Sequence, residues 1–346
     1  MTPERFSSLG QLSSVRFKEF VREPEAVFWV FAFPILLAIG LGIAFRNKPA
    51  DIVHVGVVGS PATAAALRSA HGLAVDALPS LDSAQALLRA GSIALVVAQS
   101  DSGGVEYRYD DTRPDARTAR FLVDDAIQRA GGRRDPVATH ERFVREPGSR
   151  YIDFVIPGLL GMNIMGSSIW GMGFAIVDAR RKKLLKRLIA TPMSRAQYLA
   201  SFIISRLVML VFEVLVVLGF AMLVFGVPMR GSVLQLGVVV LLSAFAFGGL
   251  GLLIASRART IEGASGLMNV AMMPMWVLSG VFFSSENFPR AFQPIIQALP
   301  LTGTINALRA TMLRGDGWHL VAPQLALLAV WTVVTGVIAL KIFRWR

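Results

Sequence analysis

The sequence predicts a polytopic α-helical membrane protein with six transmembrane helices and an inserted extracytoplasmic α/β domain. Of its 346 residues, 54% are hydrophobic and only 17% are charged, whereas soluble domains carry about 25% charged residues. Six segments are long and apolar enough for a helix to cross about 30 Å of hydrocarbon, which takes roughly 20 residues. Between the first two lies a stretch of mixed composition with alternating strand-like and helix-like patterns.

The net charge of +12 belongs to the apolar segments and their flanks rather than to the inserted stretch. Residues 46–153 contain 14 basic and 14 acidic residues, so the remaining 21 basic and 9 acidic residues carry the whole excess. Basic residues beside apolar spans indicate membrane orientation, so we expect no nucleic-acid partner. The chain has no cysteine, which excludes disulfides and thiol-based metal sites. Its four histidines are far apart in sequence, so no metal site is expected.

The predicted spans give an orientation once their short connections are compared. The spans are residues 26–45, 154–177, 199–227, 234–255, 264–283 and 321–340. With six spans, the N-terminus, the second–third connection, the fourth–fifth connection and the C-terminal tail, all basic, lie on one side. Because short basic loops stay in the cytoplasm, we expect a multi-pass membrane protein with residues 46–153 facing outward. Both termini are then cytoplasmic, with membrane lipids around the spans.

Residues 1–25 precede the first span and carry a helical pattern. Phe6, Leu9, Phe17 and Phe20 fall near helical spacing, with basic residues between them. This pattern predicts a cytoplasmic amphipathic interface helix that lies on the inner membrane surface. A solvated tail is the alternative.

Residues 46–153 form the predicted extracytoplasmic domain, with the element order βαβαββα. The predicted strands are 54–58, 73–78, 93–97 and 105–109, and the predicted helices are 62–70, 81–90 and 115–130. Ser60 and Ser80 precede two of these helices as N-caps. Gly56 and Gly59 do not complete a GxGxxG motif, so they predict a turn rather than a nucleotide site.

The cytoplasmic connection 178–198 combines a basic sequence with an apolar stripe. Apolar residues recur at helical spacing among Lys and Arg, and a Thr-Pro pair ends the helix because proline disfavours the α conformation in its predecessor. A positive-inside anchor explains the charges but not the stripe. The connection therefore favours a short amphipathic helix that docks on a partner. The residues assigned to it are Leu184, Leu185, Leu188, Ile189, Thr191 and Pro192.

Three polar side chains are singled out inside the spans: Asn163, Arg206 and Glu213. A charged residue at the centre of a span costs roughly 2.5–3.5 kcal/mol on insertion scales and usually faces a partner or water. Arg206 and Glu213 are seven residues apart, so they lie on nearly the same face of the third span. Two interpretations stay open: a polar pair that holds helices together, or a part in moving a substrate.

Between the fifth and sixth spans, residues 284–319 are too often interrupted by proline to form a further span. Backbone of this kind is tolerated at membrane depth only where protein or a cavity covers it. We therefore expect broken or re-entrant helices near the outer surface, forming a lid on an exit path. The residues assigned to this outer gate are Pro274, Ser279, Gly280, Pro289, Pro300 and Thr302.

Taken together, these segments resemble the permease subunits of ABC-2 type transporters, the exporter class of ATP-binding cassette systems. The motifs that carry the resemblance are YIDFVIPG at 151–158, LIATPMS at 188–194, PMWVLSG at 274–280, FP at 288–289, LPLT at 299–302 and NALR at 306–309. The resemblance covers nearly the whole chain. The order and spacing of the motifs make it specific.

The resemblance implies the ABC-2 (type V exporter-like) transmembrane fold and a half-transporter of the bacterial inner membrane that exports a lipophilic or drug-like substrate. Two permeases, either two copies or one copy with a paralogue, are then expected to pair with two copies of an ABC ATPase. The amphipathic helix in 178–198 becomes the coupling helix that docks on the ATPase. The chain contains no Gly-Lys pair and hence no GxxxxGK[ST] phosphate loop. We therefore expect no enzymatic activity and no cofactor on this chain, with ATP and Mg²⁺ on the ATPase.

Other functions fit parts of the sequence. A secondary transporter is expected to show broken spans in matching positions of two repeats, and only the second half shows a broken element. A receptor needs a cytoplasmic output module, and the inner loops are too short to fold alone. A non-transporting member of an ABC assembly has the same sequence features as a permease. An intramembrane enzyme is least expected, because the predicted spans hold no histidine, cysteine or paired carboxylates.

Overall fold

The computed structural model describes residues 18, 21–46, 52–100, 104–134, 136–137, 140, 147–181, 195–258 and 260–342. The chain forms two compact units. One, called the membrane unit below, consists of Met1–Arg46 and Val144–Arg346. The other, called the α/β unit, is Asn47–Phe143.

The α/β unit contains a four-stranded sheet with the order β2-β1-β3-β4. Helix α1, at 24–46, belongs to the membrane unit and comes first in the chain. The elements of the α/β unit are β1 Val53–Val58, α2 Pro61–Arg68, β2 Leu73–Leu78, α3 Leu81–Arg89, β3 Leu95–Gln99, β4 Val105–Tyr109 and α4 Pro114–Ala130. β1 is parallel to both β2 and β3, and β4 is antiparallel to β3. The predicted element order βαβαββα is confirmed.

Local signals account for the boundaries in this unit. Ser60 and Ser80 are N-caps, as predicted, because their hydroxyls accept the backbone N–H of Thr63 and Ser83, both at 3.3 Å. β3 begins two residues later than predicted, since Ile93 is buried under α3 before the ladder starts.

The glycines at the end of β1 have structural causes. A Cβ on Gly56 would lie 2.7 Å from the end of the Leu78 side chain and 2.9 Å from that of Ile93, so any larger residue would have to displace both side chains. Gly59 has φ +82°, the left-handed region that glycine adopts without strain. Both glycines therefore serve packing and a turn.

Long helices make up the membrane unit. Helix α1 consists of the α-helical turn Pro24–Val27, the π-helical turn Phe28–Ala32 and the α-helix Phe33–Arg46. The other long helices are α5 Tyr151–Arg181, α6 Arg195–Phe225, α7 Val233–Arg257, α8 Ile261–Leu278 and α11 Trp318–Ile342. Among the described residues, five helices are long and apolar enough to cross a membrane: α1, α5, α6, α7 and α11.

Helix α8 carries the predicted fifth span, 264–283, but ends before that span does. It begins with Glu262 in its first turn and ends at Leu278, after 18 residues. The prediction extended the helix five residues too far, because Gly280 adopts φ +82° and reverses the chain within an apolar sequence. The described residues therefore give five candidate spans where the sequence predicts six.

Short helices connect α8 to α11. They are the 3₁₀ turns Ser285–Asn287 and Arg290–Phe292, the helices α9 Gln293–Ala298 and α10 Pro300–Arg309, and the π-helical turn Ala310–Arg314. Proline occupies the first turn of both α9 and α10, where its missing N–H leaves no unpaired donor. Nearly all of α10 is buried in the unit.

Helix α5 is the centre of the membrane unit and the most buried of the five candidate spans. Glycines bring neighbouring backbones against it. A Cβ on Gly251 of α7 would lie 2.6 Å from the Ile169 carbonyl oxygen, and one on Gly158 would lie 2.5 Å from that of Val281. Small residues at such crossings allow close helix packing, which replaces the hydrophobic driving force inside a bilayer.

Candidate functional site

A buried polar cluster joins α5 to α6. It consists of Ser167 and Ser168 on α5 and Arg206 and Glu213 on α6. The Ser167 hydroxyl donates to Glu213 Oε1 at 2.8 Å, and Arg206 Nη2 donates to Glu213 Oε2 at 3.4 Å. The same Nη2 atom also donates to the hydroxyls of Ser167 and Ser168. Glu213 is fully buried, and Arg206 is largely so.

The spacing of the two charges explains this geometry. Residues seven apart lie two turns apart on one helix face, and the long arginine side chain covers that distance along α6. Taking either charge into an apolar interior alone is costly, but an ion pair with further hydrogen bonds offsets much of that cost. The polar cluster is therefore a neutral contact between two helices.

Asn163 lies one helical turn before Ser167 on α5 but contacts a different helix. Its Nδ2 atom donates to the Val30 carbonyl oxygen at 2.9 Å. Val30 lies in the π-helical turn of α1, where the widened helix changes the usual backbone pairing. Of the three predicted polar residues, the structure thus brings Arg206 and Glu213 together and places Asn163 at a separate contact.

Arg180 is absent from the predicted site residues, yet it connects two helices near the start of the predicted coupling segment. Its Nη1 atom donates to the carbonyl oxygens of Ala255 at 3.1 Å and Ala258 at 3.3 Å. These carbonyls end α7, and a cation at a helix C-terminus is favourable there. Helix α8 begins only three residues beyond Ala258, after the N-cap Thr260.

Arg309 holds the turn that follows α8. Its Nη2 atom donates to the Gly280 carbonyl oxygen at 2.6 Å and to that of Phe154 at 3.1 Å, and its guanidinium lies 3.6 Å from the Phe154 ring centroid. Tyr151 adds a hydrogen bond from its hydroxyl to the Phe282 carbonyl oxygen at 2.9 Å. Arg309 appears only in a family motif, since nothing local in the sequence marks its distant acceptors.

The predicted outer-gate residues occupy different structural positions. Pro274 lies inside α8, Pro289 precedes a 3₁₀ turn, and Pro300 begins α10. Gly280 makes the turn held by Arg309. The hydroxyls of the remaining two, Ser279 and Thr302, are buried without a hydrogen-bond partner among the residues that the structure describes.

The predicted coupling residues Leu184, Leu185, Leu188, Ile189, Thr191 and Pro192 lie outside the described residues. Helix α5 ends at Arg181 and α6 begins at Arg195, so the described helices flank this segment on both sides. Within the described ranges, no group of three His, Asp or Glu side chains comes together in a way that would hold a metal ion.

Long apolar helices packed around α5, with polar contacts joining distant segments, define a polytopic helical membrane protein. The family model described as ABC-2 family transporter protein matches residues 25–341. The chain belongs to this family of transporter permeases, which work with ABC ATPase subunits. The resemblance predicted from the motifs is confirmed.

Curated relatives agree with this assignment. The chain is 26% identical to the probable multidrug ABC transporter permease YbhS of Escherichia coli K12, over 330 residues that cover 86% of each chain. It is 29% identical over 170 residues to the inner membrane transport permease YhhJ of the same organism, covering 49% of this chain and 46% of YhhJ. It is 27% identical over 184 residues to ABC transporter G family member 20 of Dictyostelium discoideum, covering 53% of this chain and 25% of that protein.

Proposed function

We propose that this chain is the transmembrane permease subunit of an ATP-binding cassette exporter of the bacterial inner membrane. It moves a lipophilic or drug-like substrate outward, while a separate ATPase subunit binds ATP and Mg²⁺ and hydrolyses the ATP. The observation that carries the proposal is the family match over 25–341, which covers the long helices of the membrane unit apart from the terminal residues Pro24 and Ile342. The multidrug name of YbhS, a relative along most of the chain, supports the substrate class.

The proposed topology has six spans, with α8 as the fifth. Only three residues separate α7 from α8, so α8 is expected to return across the membrane that α7 has crossed. This arrangement places every short basic connection on the cytoplasmic side. The α/β unit, which contains 11 basic and 12 acidic residues and so has none of the basic excess, then lies outside.

The segment between α5 and α6 is proposed to contain the coupling helix that contacts the ATPase. Two polar contacts support a mechanical role for it. Arg180 joins the end of α5 to the α7–α8 turn, and the polar cluster joins α5 to α6. Movement of the coupling helix would therefore be transmitted to α6, α7 and α8 together.

Two permeases are proposed to assemble with two ATPases. One face of α8 supports a permease partner, because it is exposed and carries Gly266, Asn269 and Met273. An asparagine in the middle of a span is poorly accommodated by lipid and normally faces protein or a water-filled space. A second copy or a paralogue covering this face would provide that environment.

The direct test is affinity purification of the chain from its host in mild detergent. The expected result is a co-purifying ATPase with a phosphate-binding loop and vanadate-sensitive ATP hydrolysis, together with ATP-dependent efflux in vesicles. An ATPase without any efflux would favour a non-transporting ABC assembly. Efflux that follows an ion gradient without an ATPase would favour a secondary transporter.

The coupling helix is tested by Leu188→Asp, with Lys186→Gln as the matched control. Both substitutions change the charge by one unit, but only the first disrupts the apolar stripe. We expect Leu188→Asp to abolish ATPase co-purification and transport with normal membrane insertion, and Lys186→Gln to retain both. Equal loss in the two variants would show that the segment acts as a positive-inside anchor instead.

A further inference from the structure

The outer edge of the sheet in the α/β unit is formed by β4. This strand has the sequence VEYRY at 105–109 and lies at the end of the strand order, beside β3 alone among the described strands. Side chains alternate along it: Glu106 and Arg108 share one face, and Tyr107 on the other face donates its hydroxyl to Asp124 of α4 at 3.1 Å.

The register shows which backbone groups of β4 face outward. The Ser100 N–H donates to the Gly104 carbonyl oxygen at 3.0 Å, and the antiparallel register continues from that pair. Because hydrogen-bonded and non-hydrogen-bonded pairs alternate in an antiparallel ladder, Glu106 and Arg108 direct their backbone groups at β3. Val105, Tyr107 and Tyr109 direct theirs at the outer edge.

We propose that β4 pairs antiparallel with β4 of a second copy of this chain, centred on Tyr107. In this register, the outward backbone N–H and C=O groups of Val105 pair with those of Tyr109 in the other copy. The backbone groups of Tyr107 pair with those of Tyr107 in the other copy. Glu106 then stands opposite Arg108 of the other copy. That pair is non-hydrogen-bonded, so its Cα atoms approach to about 4.5 Å and its side chains lie closest.

The side chains of Glu106 and Arg108 are positioned to exchange their ion pair within one chain for ion pairs with the other copy. Within one chain, Arg108 Nε donates to Glu106 Oε1 at 2.8 Å, and both side chains keep a third or more of their surface exposed, 34% and 45%. Opposite charges across paired strands stabilise them. On the face of the sheet that α4 covers, pairing would place Val105 beside Tyr109 of the other copy. Contacts between an aliphatic β-branched and an aromatic side chain across paired strands are favourable.

Other pairings of the same edge are disfavoured. A parallel alignment in register places Glu106 beside Glu106 and Arg108 beside Arg108 of the other copy. A register shift by one residue puts the charged side chains of the two strands on opposite faces of the sheet. Charges on an edge strand also discourage pairing with unrelated strands. The edge therefore selects a copy of itself in a single register.

This inference rests on the proposed function, because an exporter with two copies of the permease holds two α/β units at high effective concentration. A five-residue strand pair is weak alone, but tethering makes a weak contact effectively intramolecular. The pairing would then link the two α/β units of one transporter.

The absence of cysteine makes the pairing testable in the full-length chain. Two differently tagged copies are co-expressed, one with Val105→Cys and the other with Tyr109→Cys. Both residues are exposed, and the proposal places them opposite each other, so oxidation should link the copies. The control combines Val105→Cys with Asp82→Cys on α3, a helix that packs on the other three strands, and should give no link.

Charge substitutions then test the register. Added to the cysteine pair, Arg108→Glu in both copies, or Glu106→Arg in both copies, places like charges across the interface and should lower the linked fraction about fivefold. Combining an Arg108→Glu copy with a Glu106→Arg copy restores opposite charges across the interface but not within either strand. Linking should recover only in that mixture.

The outcomes separate the two proposals. If the tagged copies co-purify but link no more than the control, or if the mixture does not recover, the strand pairing is wrong and the two-copy assembly stands. If the tagged copies do not co-purify at all, the assembly of two identical permeases is wrong, and the pairing fails with it.

Discussion

The two units of the molecule use polar side chains in opposite ways. In the described part of the α/β unit, most ion pairs join residues two or four positions apart, such as Arg113 with Asp115 and Arg129 with Asp125. In the membrane unit, the contacts that join helices cross long stretches of sequence, as from Ser167 to Glu213 and from Arg309 to Phe154. Water competes for the first kind and is excluded from the second. Removing one of these polar side chains should therefore lower the free energy of unfolding little in the α/β unit and much in the membrane unit.

The largest effect is expected at the polar cluster. Glu213→Leu leaves Arg206 buried without its carboxylate and should lower the free energy of unfolding by about 3–5 kcal/mol. Denaturant titration of the purified protein in detergent measures this change. The double substitution Arg206→Met with Glu213→Leu removes both charges and should regain most of the loss. A single variant as stable as the parent would show that the cluster does not hold α5 to α6.

A smaller effect is expected where glycine permits close packing. Gly251→Ala brings a Cβ to 2.6 Å from the Ile169 carbonyl oxygen and should destabilise the membrane unit by about 1–3 kcal/mol through overpacking. Gly237 lies in the same helix with nothing within 4 Å of an added Cβ, so Gly237→Ala is the matched control and should be neutral or stabilising. Equal behaviour of the two variants in thermal unfolding would contradict the close approach of α5 and α7.

The same contrast explains what the sequence predicted. In the α/β unit, the strands 73–78 and 105–109 have the predicted bounds, because alternation, capping serines and turn glycines are local signals. In the membrane unit, the spacing of Arg206 and Glu213 predicted that both lie on one face of the same helix. Their partner Ser167 did not, because it is 46 residues from Glu213 in sequence and meets it only through helix packing.

Two arginines show where sequence patterns hide a structural contact. Arg180 belongs to a basic run that the positive-inside rule already explains, so its bonds to the end of α7 leave no separate signal. Arg309 binds backbone carbonyls, which have no signature in side-chain sequence. The end of α8 at Leu278 was missed for a related reason, since the turn at Gly280 lies in an apolar stretch.

An alkaline titration should affect the α/β unit through Tyr107. Burial, followed by the hydrogen bond to Asp124 and its negative charge, raises the pKa of Tyr107 from 10.0 to about 12. The folded unit then keeps the phenol protonated where the unfolded chain ionises, so this stabilisation is complete below pH 10 and is lost as the pH rises towards 12. The tyrosinate absorbance of the parent minus that of Tyr107→Phe should titrate near 12. A midpoint near 10 would show that the phenol is solvated.

The smallest effect is expected at the surface of α4. Arg129 Nε lies 2.9 Å from Asp125 Oδ2, with both side chains well exposed, and exposed pairs of this kind contribute less than about 1 kcal/mol. Arg129→Ala should therefore change the free energy of unfolding of the full-length protein far less than Glu213→Leu does, and the change should shrink as salt is added. The same denaturant titration, run at low and high ionic strength, measures it. A loss as large as that of Glu213→Leu would remove the distinction between the two units, because it would mean that a solvated ion pair holds its helix as firmly as a buried one.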